Sequence, residues 1–405
     1  MKGVLNMESA RVAVATGVVE ALDQFNRSYG SQYAPTSPWT GDVAIHFTNF
    51  VNNNLFPKLS GTKYHEQILG DAWSFATKSD PNIASYDEEY AFMDVVPRNL
   101  NMSKAGTSLF KRNYKRIATN LYGPGNYRML SFSLESNYTR RNFSTIGDAC
   151  AYAIGAYKHC IQMVNIDEER QKTAKIIDYA NKNVRVHETA TSLEDMAHKL
   201  NLLLMNMAAN SDKYNEAIQL CAPNEIGGRY TATTDMSHLM ILTTTDVKEY
   251  MLGTLLANTY QTKGIDITNM IMAFPTLTYA WKATEDITMD ADLVKILNAF
   301  GDEDAEVGDI IPKDAVITID PEEFLADHKD KTKFEPIAPK NVAGETGKPW
   351  AMVFDTRSLK FARFTDGMVE PAFLNPSVKE YKYYMHYYHR NNVSPFYNKA
   401  IVSVG

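Results

Sequence analysis

Apolar and small residues recur at Ile146, Ala149, Cys150, Ala153, Ile154, Tyr157, Ile161 and Val164, and again at Ala174, Ile176, Ile177 and Ala180. Steps of three and four place these side chains on one stripe of a helix. The pattern predicts helix over residues 143–181, with no proline inside it. Ser144 or Thr145 stands where a cap belongs, and Asp148 lies near the positive end of the helix dipole. Unbroken, such a helix spans roughly 50 Å. Gly155 and the charged run Asp167 to Arg170 are the places for a kink, and two helices meeting at residues 165–167 are the alternative to one beam.

Elsewhere the pattern is more broken. Residues 7–28 form an amphipathic helix through Val12, Val19, Leu22 and Phe25, and residues 29–41 read as an extended arm. Residues 62–130 read as a protruding, mostly extended excursion. It has an acidic limb at Asp87, Glu88 and Glu89, a basic limb at Lys111, Arg112, Lys115 and Arg116, and a turn at Gly123-Pro124-Gly125. A second amphipathic helix covers residues 193–209 behind Ser192. Residues 236–242 predict a buried strand, 246–260 a helix, 271–281 an extended segment, 293–300 a helix and 315–319 a strand. This alternation implies an α/β subdomain over residues 182–320. Residues 321–348 are polar and proline-bearing and read as a loop insertion or a flexible surface segment. Strands are expected at 350–354, 359–364, 381–390 and 400–404.

Charge and composition narrow the function. With a formal net charge of −7 across 405 residues, the chain lacks the basic balance of a protein that grips nucleic acid through its phosphates. Three cysteines without metal-type spacing fit a reducing compartment better than a disulfide scaffold. No signal peptide and no apolar run of membrane-spanning length are read.

The search for chemistry finds no catalytic, cofactor or metal set. Gly123-Pro124-Gly125-Asn126 lacks the lysine and hydroxyl of a phosphate loop. His65-Glu66 is followed by Leu69 where a zinc motif needs a second histidine. Asp302, Asp304 and Glu306 alternate like a calcium loop, but Val307 takes the glycine position. His386 and His389 sit three apart on a strand and point to opposite faces.

The order of parts carries a resemblance. The helix at 145–181, the unit DMSHLMILTTTDVKEYMLGTLLANTY at 235–260, and the tail PWAMVFDTRSLKFARF…EYKYYMHYYHRNNVSPFYNKAIVSV at 349–404 occur in sequence. Together they resemble the major capsid protein of tailed phages with the Hong Kong 97-type fold, most closely that of small short-tailed phages such as staphylococcal podoviruses and phi twenty-nine relatives. The resemblance implies an α+β fold with an N-terminal arm (1–61), an E-loop (62–130), a P-domain built on a spine helix (131–181), an A-domain (182–348, with an insertion at 320–348) and C-terminal P-domain strands (349–405). It further implies a homo-oligomer of pentamers and hexamers forming an icosahedral head, with scaffolding and portal partners and no membrane. The head is expected to be assembled in the host cytoplasm around double-stranded DNA held without sequence-specific contact. No catalytic or cofactor residue follows from it. The candidate intersubunit contacts are Asp87, Glu88, Glu89, Lys111, Arg112, Lys115 and Arg116. An enzyme with its site at 182–320, and a nucleic-acid-binding protein using the basic limb, are the competing readings.

Overall fold

The computed structural model describes residues 18–38, 47, 50, 72–80, 86–94, 117–135, 145–220, 230–252, 270–299, 305–364, 369–375 and 380–405. The predicted N-terminal helix is seen over residues 18–29, and the rest of that prediction lies outside the described residues.

Before the central helix come β1 (Thr77–Ser79), β2 (Asp87–Phe92), β3 (Ile117–Tyr122) and β4 (Asn126–Glu135). The helix α1 (Ile146–Asn183) is followed by β5 (His187–Ala190), α2 (Leu193–Ala208), β6 (Leu239–Thr244), α3 (Thr245–Tyr250) and β7 (Ile271–Phe274). Next are β8 (Trp281–Ala283), β9 (Ile287–Thr288), α4 (Ala291–Ala299), β10 (Ile310–Ile311), β11 (Val316–Ile317), α5 (Pro321–Phe324) and β12 (Phe334–Pro336). The strands β13 (Trp350–Asp355), β14 (Leu359–Phe364), β15 (Val369–Asn375), β16 (Glu380–Val393) and β17 (Lys399–Val404) complete the order.

The beam is one helix of 38 residues. Thr145 is its cap. Its Oγ1 accepts from the Asp148 amide at 3.2 Å, while the Thr145 amide donates to Asp148 Oδ2 at 3.1 Å. The helix serves two cores. Its first half, from Ile146 to Val164, packs with Leu22, Phe25, Phe47, Phe50, Tyr383, Met385 and Tyr387. Its second half, with Ile176, Ile177 and Ala180, packs with Trp73, Trp350, Met352, Phe354 and Phe361.

Between the halves lies a polar junction. The charged run does not kink the helix because its charges are paired inside the protein. Lys172 Nζ stands 3.4 Å from Glu168 Oε2, and Arg363 Nε stands 3.2 Å from Glu168 Oε1. Arg363 also donates to Asn165 Oδ1 at 2.8 Å. Asp167 accepts from the hydroxyls of Thr318 at 2.7 Å and Tyr387 at 2.8 Å, and Arg128 Nε lies 3.3 Å away. One carboxylate therefore ties α1 to β4, to β16 and to the segment after β11.

Two five-stranded sheets flank the beam. In the first, β16 pairs antiparallel with β4, β14 and β15, and β1 joins β14 in parallel. In the second the order is β5-β17-β13-β6-β7, its outer pairings parallel and its inner ones antiparallel. The segment 349–405 thus divides between sheets. The strands β14 to β16 belong with α1, whereas β13 and β17 form the centre of the sheet whose other members come from residues 187–274.

Three expectations change in detail. The strand expected from Met236 begins at Leu239, because Asp235 accepts from the Ser237 amide and holds Met236–His238 in a 3-10 turn. The polar stretch 321–348 is not a structureless loop. Asp320 caps α5, β12 pairs with β8, and Phe324, Leu325 and Phe334 fill a small core with Ala283, Ile287 and Leu293. Within the supposed excursion, the described segment 72–80 is anchored too. Trp73 is fully buried and its Nε1 donates to Thr173 Oγ1 at 2.9 Å.

Candidate subunit interface

The strands β2 and β3 form a separate two-stranded antiparallel ribbon, in register from Asp87 opposite Tyr122 to Phe92 opposite Ile117. Side chains on a strand alternate between faces. The inner face carries Glu89, Ala91, Ala118, Asn120 and Tyr122, and the outer face carries Glu88, Tyr90, Phe92, Ile117, Thr119 and Leu121.

The inner face is bound to the body of the subunit. Ala91 and Ala118 pack with Met93, Ala217 and Phe396. Glu89 is the fastening. Its Oε2 accepts from the Tyr122 hydroxyl at 2.5 Å and from Ser394 Oγ at 2.6 Å, and Lys360 Nζ lies 3.2 Å from Oε1. Burial, and next the bond to Glu89, raise the Tyr122 hydroxyl pKa above the ordinary phenol range. Asp94 accepts from both the amide and the hydroxyl of Thr231, at 2.7 and 2.6 Å.

Just below lies a buried ion pair, with Lys399 Nζ 2.9 Å from Glu216 Oε2. Lys399 also donates to the Ser394 and Tyr397 carbonyls, each at 2.7 Å, and the Tyr179 hydroxyl donates to Glu216 at 3.1 Å. Burial pushes the Glu216 carboxyl up and the Lys399 ammonium down, and their attraction opposes both shifts.

The outer face is exposed. Tyr90 is 63% exposed, Leu121 62%, Phe92 53% and Ile117 52%. Large apolar side chains clustered this way on one ribbon make it the candidate surface for a contact with another molecule.

The model of the Phi29-like phage major capsid protein family matches residues 20–403. The chain belongs to that family. It is 37% identical to the major capsid protein of Staphylococcus phage 44AHJD over 96% of this chain and 93% of the relative. With the major capsid protein of Staphylococcus phage S24-1 the figures are 37%, 96% and 94%. In a solved capsid structure of Staphylococcus phage Andhra, a chain 36% identical superposes with a TM-score of 0.75, covering 95% of this chain and 97% of that one. The fold is therefore α+β of the Hong Kong 97 type. The protein is a major capsid protein forming the icosahedral head shell of a tailed phage, in a structural family rather than an enzyme family.

In this capsid subunit the sequence-predicted contacts fall unevenly. Asp87 faces Arg390, 3.3 Å away, which also holds Asp80 at 2.9 Å. Glu89 is spent on the inner fastening. Glu88 is exposed on the outer face, with no in-chain partner among the described residues. Lys111, Arg112, Lys115 and Arg116 lie outside the described residues. Along the ribbon, Asp87, Glu88 and Glu89 stand opposite Tyr122, Leu121 and Asn120. Sequence reading missed the outer apolar face, although the alternation of Tyr90 and Phe92 was its signal. It also missed the Glu216–Lys399 pair, which no local motif announces.

Other polar clusters have structural explanations. Asp290, His328 and Asp330 bring ligand-type atoms within 4.8 Å of one another. However, the Asp330 amide donates to His328 Nδ1 at 3.2 Å, and Nε2 faces Asp290 Oδ1 at 3.1 Å. The two aspartates therefore flank opposite ring nitrogens. Lys329 and Lys333 pair with them at 3.0 and 3.1 Å. Asp290 also caps α4 through the Leu293 amide. That bond first, and then Lys329 and His328, hold its carboxyl well below the usual carboxylate range. His386 and His389 do face opposite sides of β16. His386 stacks on Tyr127, while His389 is buried toward α1. Asp302 and Asp304 lie outside the described residues. Among the described residues no helix is long and apolar enough to cross a membrane.

Proposed function

We propose that this subunit closes into rings of five and six that tile the head, and that adjoining subunits are registered by charge on the β2–β3 ribbon. Assembly takes place in the bacterial cytoplasm with scaffolding and portal proteins, and the closed shell encloses double-stranded DNA. The ribbon serves as the E-loop. The helix α1 with the β4–β14–β15–β16 sheet serves as the P-domain, and the β5–β6–β7–β13–β17 sheet as the A-domain.

Glu88 is the observation that carries the registering role, because it alone of the three acidic candidates faces outward with no bond among the described residues. Lys111, Arg112, Lys115 and Arg116 are its proposed counterparts on a neighbour. Complementary charge of this kind fixes orientation and rejects wrong partners more than it adds affinity. The net charge of −7 supports a shell that contains DNA without gripping its bases.

The test is charge reversal. Glu88→Lys, or Lys115→Glu with Arg116→Glu, leaves the subunit folded by circular dichroism but lowers particle yield in sedimentation at low salt. Combining the three changes restores particles. Wild-type yield from every variant, in both low and moderate salt, contradicts the registering role. A gel-shift titration checks the DNA reading, which tight sequence-selective binding overturns.

A further inference from the structure

We propose that the cavity between the second half of α1 and the sheet β11–β8–β12 binds a small molecule bearing a phosphate group. Every residue of this site comes from one subunit, so the site stands apart from the ring reading above.

The cavity has a volume of about 510 Å³, a size typical of small-molecule sites. One wall is α1, where Gln171, Lys175, Asp178 and Lys182 follow at steps of four, three and four and so share one stripe. A second wall is Lys282 of β8 with Asp314 and Val316. The turn between β3 and β4 and the end of β16, from His389 to Asn392, supply most of the rest.

The first observation is charge. Lys175, Lys182, Lys282 and Arg390 line the cavity against the carboxylates Asp178 and Asp314. Both carboxylates are already paired, Asp178 with Lys182 at 2.6 Å and Asp314 with Lys282. Arg390 is held by Asp80 at 2.9 Å and by Asp87 at 3.3 Å. Lys175 is exposed and has no ion pair among the described residues. Its ammonium is the unbalanced charge of the cavity, and lysine serves phosphate as a point charge.

The second observation is unmade hydrogen bonds. His389 lines the cavity at 1% exposure, and neither ring nitrogen has a hydrogen-bond partner among the described residues. Asn391 Oδ1, in the same wall, is buried and unpaired as well. A neutral imidazole offers one N–H donor and one acceptor, and leaving buried groups of this kind unpaired is costly. The ring torsion of histidine is soft, so the ring can turn its N–H to a bound phosphate oxygen. Asn391 Oδ1 can accept from a ligand hydroxyl.

Two sources share this chemistry, the free inorganic ion and the phosphate of a mononucleotide. Pro124, Val316 and Ile337 give the cavity apolar wall beside its polar groups, which suits an organic body attached to the phosphate.

The experiment titrates dissociated full-length subunits with inorganic phosphate and with deoxyadenosine monophosphate, and uses deoxyadenosine as the uncharged comparison. At least one phosphate-bearing probe is expected to saturate at one per subunit and to bind at least tenfold more tightly than deoxyadenosine. Lys175→Gln is expected to weaken it at least fivefold. Lys295→Gln, which removes an exposed cation of α4 outside the cavity lining, is expected to leave it unchanged. Tighter binding of the nucleotide than of the free ion assigns the site to an organic phosphate, and any other order assigns it to the free ion. Absence of saturable binding by both probes overturns the proposal. So does a Lys175→Gln effect no larger than that of Lys295→Gln, which leaves an adventitious ion only.

The histidine ring-nitrogen signals, read by NMR in the same subunits and assigned with His389→Gln, locate the ligand without relying on affinity. Addition of the probe is expected to shift the His389 signals, and unchanged signals at saturation overturn the site. Particle yield enters neither readout, so the ring reading is tested separately.

Discussion

At the middle of α1 the chain buries Asn165, Glu168 and Lys172, while on the β2–β3 ribbon it exposes Tyr90, Phe92, Ile117 and Leu121. Polar groups inside and apolar groups outside are the two informative departures from the ordinary distribution. They differ in where each departure is resolved. Glu168 finds Lys172 and Arg363 within its own subunit, so the junction is complete in one chain and fixes how α1 sits on the first sheet. The ribbon's outer side chains Tyr90, Phe92, Ile117 and Leu121 stay more than half exposed in the subunit. The requirement at the junction is closed within the subunit, and the apolar face of the ribbon stays open to solvent there.

The largest effects should come from breaking the beam's interior. Ile154 packs in the first core and is almost fully buried. Ile154→Asp places a lone carboxylate there and should cost about 4–5 kcal/mol, enough to remove the folded subunit in a urea titration. Assembly of normal particles by this variant would contradict the assigned face. Lys399→Met comes next. It leaves Glu216 buried without its cation and should cost about 3–5 kcal/mol. Adding Glu216→Gln should recover much of that loss, and a double-mutant cycle measures the recovery.

A pH effect ranks third. Burial first, and then the Arg128 charge, pull His389 down from 6.5 to about 4, with Lys172 and Arg363 lowering it further and Asp167 opposing. The unfolded chain therefore binds a proton more readily than the folded one between these values. Stability is fully present above about pH 6.5 and is lost as pH falls toward 4, by roughly 3 kcal/mol from this group. Unfolding of dissociated subunits across that window should show a flatter slope for His389→Gln than for wild type. An identical slope removes His389 as the cause.

The smallest effect concerns a detail that sequence alone anticipated. Thr145→Ala removes the cap of α1 and should cost about 1 kcal/mol in the same titration, with Ser144→Ala as the silent control.

The long stripe from Ile146 to Ala180 was legible because helical periodicity is local, and so was the cap at Ser192, while the cap of α1 was narrowed to Ser144 or Thr145 and the structure gives Thr145. The strands at 350–355, 359–364 and 399–404 were legible for the same reason. Partnership was not. Nothing in the tail announces that β13 and β17 leave the sheet of β14 to β16 to complete the other one, because pairing depends on segments far away in the chain. Residues 321–348 looked like a loop because their core-forming members, Phe324, Leu325 and Phe334, are spaced without helical or strand period. At the ribbon, the alternation was readable but its direction was not. Periodicity reports two faces, and only the packing of Ala118 against Phe396 and Ala217 shows which face turns inward.

Hydroxyl-radical footprinting of dissociated subunits beside purified particles tests the contrast most directly. Tyr157 on the beam and Tyr387 packed against it, both buried, should be protected to the same degree in both samples. Tyr90, Phe92 and Leu121 should be oxidised readily in the subunit and become protected in the particle. Equal oxidation of these three in both samples would contradict the account.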